Sequence, residues 1–204
     1  MTDGDSTLSS TLCGNEGRRL LQLARQAVEH AARREALPTL AIDSEPDSLR
    51  RTGCAFVTLT KGGMLRGCIG GLEPRLPLAI DVWEHAFMAA SEDFRFLPVQ
   101  LDEMASIDLE VSVLTVARPL EYTHPDDLLA KIRPHIDGVI LTDGLNRATF
   151  LPQVWEKVSG PAEFFDRLAE KAGLPPDAWR RRRVQIQTYQ VISFYETDRP
   201  LSVG

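Results

Sequence analysis

The sequence has few cysteines and no signal that would place the chain in or across a membrane. Its 204 residues include three cysteines, Cys13, Cys54 and Cys68, with no CxxC pair. This set fits neither a disulfide framework nor a zinc ribbon. The N-terminus is acidic and polar where a signal peptide would be basic and then apolar. No apolar run approaches the roughly 20 residues that a membrane helix needs. We therefore expect a cytoplasmic protein with no membrane partner.

Positive charge is also scarce. The chain has 29 acidic and 23 basic residues, a formal net charge of −6. Proteins that bind nucleic acids generally carry a basic surface that displaces counterions from phosphates. The one basic run, four arginines at 180–183, is more typical of a solvated element or a local protein contact. Nucleic-acid binding is therefore not expected.

Motifs for common cofactors and catalytic metals are absent from the sequence. There is no P-loop, dinucleotide fingerprint, GxSxG elbow or zinc-hydrolase motif. His135 and Asp137 could share a strand face with His124 nearby, but their spacing is too unspecific to predict a metal site. We expect no cofactor and no metal.

Composition and periodicity indicate a folded chain. Hydrophobic residues make up 43% and charged residues 25%, which is enough apolar material for a sizeable core. Residues 1–14 are polar and predict a flexible N-terminal arm. After the arm, apolar residues recur at helical spacing at Leu20, Leu21, Ala24, Ala27, Val28 and Ala31. Over residues 15–204 we expect a single domain of two closely packed lobes.

Two pairs of β-prone segments predict hairpins, each leading into a helix. Residues 55–60 and 65–70 flank a Gly-Gly pair, and residues 139–142 and 147–151 flank a turn at 143–146. Helices are predicted to start at the prolines that follow, at positions 77 and 161. This similarity is consistent with an internal duplication of hairpin–helix units.

Further strands are predicted by alternation of apolar and polar residues. Residues 107–113 alternate without a break, as in a half-buried strand. Residues 184–195 break the alternation once, which predicts a bulge or a strand buried on both faces. Hairpins mixed with helices predict an α+β fold, a mostly antiparallel sheet with flanking helices and a smaller second lobe.

The densest group of chemistry-bearing residues lies in the second strand of the first hairpin. With the Gly-Gly pair at the turn, Val57 would face Cys68, and Arg66 would share a face with Cys68. Arg66 would then favour the thiolate form of the cysteine. Gly67 and Gly70 would let a ligand or another backbone approach closely.

Two interpretations of this strand remain open. In one, Cys68 is reactive or faces a ligand, Arg66 clamps an anion, and Glu73 lies nearby. In the other, Cys68 is a small buried residue in a strand that packs tightly under a helix. Composition favours the second, because free cysteine is among the most buried residue types.

Other polar residues are candidates for ligand contacts. Asp93 and Arg95 could orient a polar ligand, could clamp the hairpin as a charged pair, or could form only a loop ion pair of small stability value. Glu110 lies on the polar side of its strand with Asp108 and Ser112. That side would line a cleft if it faces one, and solvent exposure is the default expectation.

Residues 65–70 read LRGCIG, and this run resembles the signature of the AMMECR family, called AmmeMemoRadiSam system protein A in bacteria and archaea. The resemblance continues through segments at 72–75, 93–96, 107–114, 137–138, 149–155 and 172–175. It implies an α+β fold and association with two other proteins, a Memo-type protein and a radical SAM enzyme. It implies no reaction.

The segment at 149–155 is similar to the family and supplies two more candidates, Phe150 and Gln153. Gln153 can donate and accept hydrogen bonds near a helix start, so we expect these residues to form a pocket wall. The family usually has proline where Phe94 stands, which predicts a looser loop here. His85 is not typical of the family, which weakens a Cys68–His85 pair as a catalytic dyad.

Two functional hypotheses follow. The first is a binding or accessory module with a polar cleft around residues 65–70, which takes a small molecule or a peptide and acts with the two partners that the resemblance implies. The second is a cysteine-dependent enzyme in which Cys68 is nucleophile or acid and Arg66 stabilises an anion. The absence of a recognised catalytic arrangement favours the first.

Overall fold

The computed structural model describes residue 12 and residues 14–196. The predicted arm at 1–14 lies outside the described residues except for these two positions, and so does Cys13. The helices are α1 (Gly14–Ala32), α2 (Asp47–Arg50), α3 (Leu78–Ser91), α4 (Pro125–Lys131), α5 (Pro161–Lys171) and α6 (Ala178–Arg181). The strands are β1 (Thr52–Lys61), β2 (Met64–Gly70), β3 (Leu76–Pro77), β4 (Ile107–Leu114), β5 (Arg118–Pro119), β6 (Gly138–Asp143), β7 (Asn146–Phe150), β8 (Gln185–Tyr189) and β9 (Val191–Tyr195). Short 3-10 helices cover Ile42–Ser44, Leu101–Ser106 and Pro152–Lys157.

The chain divides into two compact units, each with its own hydrophobic core. Of the described residues, those up to Leu114 and those from Ile192 onward form unit 1, and Thr115–Val191 form unit 2. The sheet of unit 1 has the order β2-β1-β4-β9, and that of unit 2 the order β5-β8-β6-β7. The fold is α+β with antiparallel sheets and flanking helices, as the sequence predicted.

The core of unit 1 lies on one face of its sheet. Alternation in β1 and β4 places Val57, Leu59 and Val111 on this face, where they are fully or almost fully buried. The predicted stripe of α1, represented by Leu20 and Ala24, is buried in the same cluster as the apolar residues of α3. The other sheet face therefore carries the alternate, more polar residues of the same strands.

The first hairpin has the predicted Gly-Gly turn but not the predicted register. Gly62 and Gly63 both have positive φ, which glycine adopts without strain. Leu65 pairs with Thr60 as expected, but Gly67 then pairs with Leu59, so Arg66 is an extra residue in the ladder. Beyond this β-bulge, Cys68 pairs with Thr58 and not with Val57. The predicted Val57–Cys68 pairing is wrong because sequence alternation does not reveal the bulge.

Gly67 sets how closely β2 approaches α3. A Cβ atom at this position would lie 2.2 Å from the carbonyl oxygen of Ala89 on α3. No side chain fits at this distance, so the strand backbone packs directly against the helix backbone. Because side chains alternate along a strand, Cys68 points to the opposite face from Gly67.

Unit 2 has an aromatic core. Trp155 stacks on Phe164 with ring centroids 3.7 Å apart, and Phe165 and Trp179 extend the cluster. The indole N–H of Trp155 donates to the carbonyl oxygen of Asp137 at 2.7 Å. These contacts place the 3-10 helix Pro152–Lys157 against the start of β6.

The two units share a strand topology. In unit 1 the β1–β2 hairpin is followed by α3 and by β4, which pairs antiparallel with β1. In unit 2 the β6–β7 hairpin is followed by α5 and by β8, which pairs antiparallel with β6. This common order agrees with the sequence similarity of the two hairpins. An internal duplication stays a prediction.

The final strand region is not one strand. The chain leaves β8 in the second sheet at Tyr189 and enters β9 in the first sheet at Val191. The expectation of a bulge or of a strand buried on both faces is therefore wrong. The break in alternation marks the passage of the chain from one sheet to the other.

Candidate functional site

The face of the first sheet opposite its core carries a row of polar side chains that we call the polar face. Thr58 occupies the centre, since it pairs with Cys68 on one side and with Glu110 on the other. Paired residues of antiparallel strands point to the same side of the sheet. The polar face consists of Thr58, Thr60, Cys68, Asp108, Glu110, Ser112 and Ser193.

Cys68 is half-buried on this face, and its sulfur accepts a hydrogen bond from a hydroxyl. Thr58 Oγ1 lies 3.3 Å from Cys68 Sγ. His85 belongs to α3, on the core side of the sheet, and its Nδ1 lies 3.1 Å from the carboxylate of Asp81. The structure therefore does not bring His85 to Cys68, and among the described residues the thiol contacts no base.

Glu110 lies beside two serine hydroxyls. Its Oε1 is 2.7 Å from Ser112 Oγ and 3.0 Å from Ser193 Oγ, and the two hydroxyl oxygens are 2.9 Å apart. Two hydroxyl hydrogens serve two of these three contacts at a time. Within the part of the chain that the structure describes, Oε2 of Glu110 has no hydrogen-bond partner, so it remains able to accept from a ligand.

Burial along β4 differs from the expected uniform solvation of its polar side. Asp108 is exposed, Glu110 is half-buried, and Ser112 is buried. The default expectation of solvent exposure therefore holds for Asp108 alone. A half-buried carboxylate held by hydroxyls is better fixed in position than an exposed one.

Asp93 and Arg95 clamp the peptide of Cys68. The buried Asp93 carboxylate accepts from the backbone N–H of Cys68 at 2.9 Å, and Arg95 Nη2 donates to the Cys68 carbonyl at 3.2 Å. The two side chains also bond to each other, at 2.6 Å and 2.9 Å. The hydrogen bonds from Arg95, together with that from the Cys68 N–H, hold the pKa of Asp93 far below its usual range. These contacts are those of a hairpin clamp, and a role of Asp93 and Arg95 in ligand binding stays a prediction.

The guanidinium of Arg66 is held by hydrogen bonds to other residues of unit 1. It donates to both carboxylate oxygens of Glu103, at 2.6 Å and 3.3 Å, and to the carbonyl oxygen of Leu97 at 2.9 Å. Lys61 also contacts Glu103. The hydrogen bond from Arg66, followed by that from Lys61, lowers the pKa of Glu103 to about 2 despite the opposing effect of burial. Because Glu103 already neutralises it, Arg66 is poorly placed to clamp an external anion.

The remaining candidates make other contacts within their own units. Gly70 pairs with Phe56, and the Phe56 ring occupies the space where its Cβ would lie. Glu73 is exposed and contacts Arg75. In unit 2, Phe150 packs edge-on against Phe164, and Gln153 is exposed. The pocket-wall role predicted for Phe150 and Gln153 stays a prediction.

The basic run in unit 2 is neutralised locally. Each of the four arginines at 180–183 forms an ion pair with a carboxylate, and these carboxylates belong to Asp166, Asp177, Asp143 and Glu121 in that order. Arg180 also lies over the ring of Trp179. The run is therefore a set of ion pairs that tie α6 and the following segment to their surroundings.

Among the described residues, no three His, Cys, Asp or Glu side chains are placed to hold a metal ion. His124 Nδ1 accepts from the backbone N–H of Asp127 at the start of α4, and Asp137 is paired with Arg133. None of the described helices combines the length and the apolar character that crossing a membrane requires.

Cys54 contrasts with Cys68. It is buried, and burial, with the nearby Asp81 carboxylate, raises the pKa of its thiol to about 12. A thiol of this kind is inert at neutral pH. Cys68 is therefore the more accessible of the two described cysteines.

Sequence reasoning missed Thr58, Ser193 and Glu103. Ser193 meets Ser112 across 81 positions of sequence, and no local pattern predicts that contact. Glu103 forms a capping box with Gln100 at the start of its 3-10 helix, a recognisable sequence feature. Nothing in that feature indicates the contact with Arg66.

The family model for AMMECR1 matches residues 21–194. A protein of Methanothermobacter thermautotrophicus is 42% identical over 91% of this chain and 96% of its own length. A protein of Thermofilum pendens is 38% identical over 91% of this chain and 92% of its own length. The crystal structure of an uncharacterised protein from Pyrococcus horikoshii is similar with a TM-score of 0.76 and 33% identity, over 89% of this chain and 91% of the other. The chain belongs to the AMMECR1 family.

Proposed function

We propose that this chain is a binding module whose polar face holds a small molecule rich in N–H donors, such as a primary amine or a guanidinium compound. The observation that carries the proposal is the position of Glu110. Its carboxylate is half-buried, one oxygen is held by serine hydroxyls, and the other has no partner among the described residues. An ionised acceptor fixed in this way forms strong hydrogen bonds with cationic donors.

The surrounding groups support a cationic or donor-rich ligand. Asp108 adds a second carboxylate to the polar face, on which Thr58 pairs with Glu110 and Thr60 pairs with Asp108. The polar face as defined contains no basic residue, so an anionic ligand would meet like charge. The clamp on Cys68 holds the edge of this face rigid, which reduces the ordering required on binding.

An NMR titration of the full chain with agmatine tests the proposal, with acetate as the anionic control. We expect agmatine to shift the amide signals of Thr58, Cys68 and Glu110, and acetate to leave them in place. Glu110→Gln should weaken agmatine binding by roughly tenfold, since it removes one charge-assisted hydrogen bond. Glu84→Gln makes the same charge change on exposed Glu84 of α3 and should leave binding unchanged. Equal binding by wild type and Glu110→Gln would exclude this site.

The cysteine-enzyme alternative has less support. A nucleophilic thiol needs an adjacent base or a nearby positive charge. Cys68 contacts the Thr58 hydroxyl, and the nearby Arg95 guanidinium is already paired with Asp93. Glu110 lies one strand further on, about 10 Å from Cys68 by the usual spacing of strands. Cys68→Ser should therefore retain agmatine binding, and turnover of a substrate that Cys68→Ser abolishes would favour the enzyme instead.

We also propose that the chain binds the two partners that the family resemblance implies, a Memo-type protein and a radical SAM enzyme. The support is that the chain, as a binding module, would present a ligand to an enzyme and need not transform it. Size-exclusion chromatography of the purified chain mixed with each partner from the same organism tests this part. Coelution is the expected result, and separate elution of both partners would contradict it.

A further inference from the structure

Five large apolar side chains are exposed along the outer edge of β2, and we call this group the edge patch. Phe94 is 96% exposed, Leu97 83% and Met64 74%. Leu101 and Leu65 complete the patch and are about half exposed. Single exposed apolar residues are ordinary, but several on one edge strand and on the segment beside it indicate an interaction surface.

Polar contacts hold the members of the edge patch together. The segment 93–103 follows the free edge of β2, because Asp93 bonds to the Cys68 peptide and Arg66 bonds to the carbonyl oxygen of Leu97. Further along, Glu103 bonds to Arg66 and Lys61, which are on the two strands of the hairpin. Phe94, Leu97 and Leu101 therefore lie on a segment that is tied to the hairpin carrying Met64 and Leu65, and all five side chains are exposed.

The charge around the edge patch is negative. Its basic residues, Lys61, Arg66 and Arg95, are all paired with the carboxylates of Glu103 or Asp93. The exposed carboxylates of Glu92 and Asp102 adjoin the segment and form no ion pair within the described residues. Asp108, also exposed, lies in the same cross-strand row as Thr60 and Leu65. The patch is thus an apolar surface with an acidic rim.

We infer that the edge patch docks an amphipathic segment of a partner protein, whose apolar face is flanked by lysine or arginine. The apolar side chains would supply the buried contact, and the rim carboxylates would select a basic flank. A second copy of this chain would bring a second acidic rim and would be repelled. An anionic lipid surface would be repelled for the same reason.

A matched pair of synthetic helical peptides tests this inference on the full chain. One peptide carries leucine and phenylalanine on one face with lysine on both flanks, and the other has glutamate at each lysine position. Fluorescence anisotropy should show binding of the lysine peptide, with an affinity that falls as salt rises. Amide shifts should be confined to residues 64–65 and 92–103.

Surface variants connect the binding to the patch. Phe94→Ser should weaken binding of the lysine peptide by about tenfold or more, as expected for a central aromatic contact. Leu145→Ser alters a fully exposed leucine in unit 2 and should have no effect. The double variant Glu92→Gln/Asp102→Asn should reduce both the affinity and its salt dependence.

Four results would overturn the inference. They are absence of binding by the lysine peptide, equal binding by the glutamate peptide, unchanged binding in Phe94→Ser, and amide shifts outside the patch. Sedimentation of the chain alone and flotation with phosphatidylserine vesicles address the other occupants. Dimerisation or vesicle binding that Phe94→Ser abolishes would assign the patch to that occupant instead.

Discussion

Asp93 connects the loop after α3 to the peptide of Cys68, and the stability of the protein should depend on it. Its buried carboxylate accepts from the Cys68 N–H and from Arg95. Asp93→Ala removes these acceptors, so the Cys68 N–H loses its partner and the Arg95 guanidinium keeps only the Cys68 carbonyl. We expect the free energy of unfolding, measured with urea, to fall by about 2–3 kcal/mol.

Asp47→Ala is the control for this prediction. Asp47 forms an ion pair with Arg50 on the exposed surface of α2, and solvent screens such pairs. The free energy of unfolding should not change measurably in this variant. Equal losses in the Asp93 and Asp47 variants would show that the clamp on Cys68 adds nothing beyond a surface ion pair.

The sequence did not predict how the individual side chains of the site are oriented. The residues of the first hairpin predict its turn and both its strands, but the bulge at Arg66 changes the partner of Cys68 from Val57 to Thr58. A bulge depends on how β2 packs against α3, which is a tertiary contact. The meeting of Ser112 with Ser193 is likewise set by the pairing of distant strands.

Contact between β2 and α3 requires a residue without a side chain. A Cβ at Gly67 would lie 2.2 Å from the Ala89 carbonyl oxygen, and backbone cannot move aside as a flexible side chain can. Gly67→Ala should therefore separate strand and helix and lower the free energy of unfolding by about 1–3 kcal/mol. At Gly71, four positions along, the nearest atom would be 3.4 Å away, on His85. Gly71→Ala should be close to neutral, and similar losses in both variants would refute the packing argument.

Glu103 ties the segment that carries Phe94, Leu97 and Leu101 to the hairpin, so the attachment of this segment should depend on pH. Hydrogen bonds from Arg66 and Lys61 lower the pKa of Glu103 to about 2, below the usual value of about 4.3 in an unfolded chain. Between these values the unfolded state binds more protons. The free energy of unfolding therefore falls as the pH decreases from about 4.5 to 2. Urea unfolding across this range should show a smaller slope in Glu103→Gln than in the wild type, and identical slopes would contradict the prediction.

The sequence predicted individual helices and strands better than it predicted which strands pair in each sheet. The alternation at 107–113 and the helical stripe after Asn15 predicted β4 and α1, because both elements bury one face against a core. The prediction of a single strand at residues 184–195 was wrong for a physical reason. Both β8 and β9 are strand-forming, and only the pairing of each with its own sheet separates them.

For the molecule as a whole, charge bears most directly on whether the protein binds nucleic acid. The net charge is −6, and each arginine at 180–183 already has a carboxylate partner. A phosphate that approaches one of these arginines is repelled by the carboxylate already paired with it. We therefore expect no mobility shift with RNA or duplex DNA at low salt, where electrostatic binding is strongest.

Asp166→Asn and Asp143→Asn together release two arginines and provide a positive control, since weak, salt-sensitive binding should then appear. A shift of the unmodified chain that disappears as salt rises would show instead that the ion pairs open to phosphate.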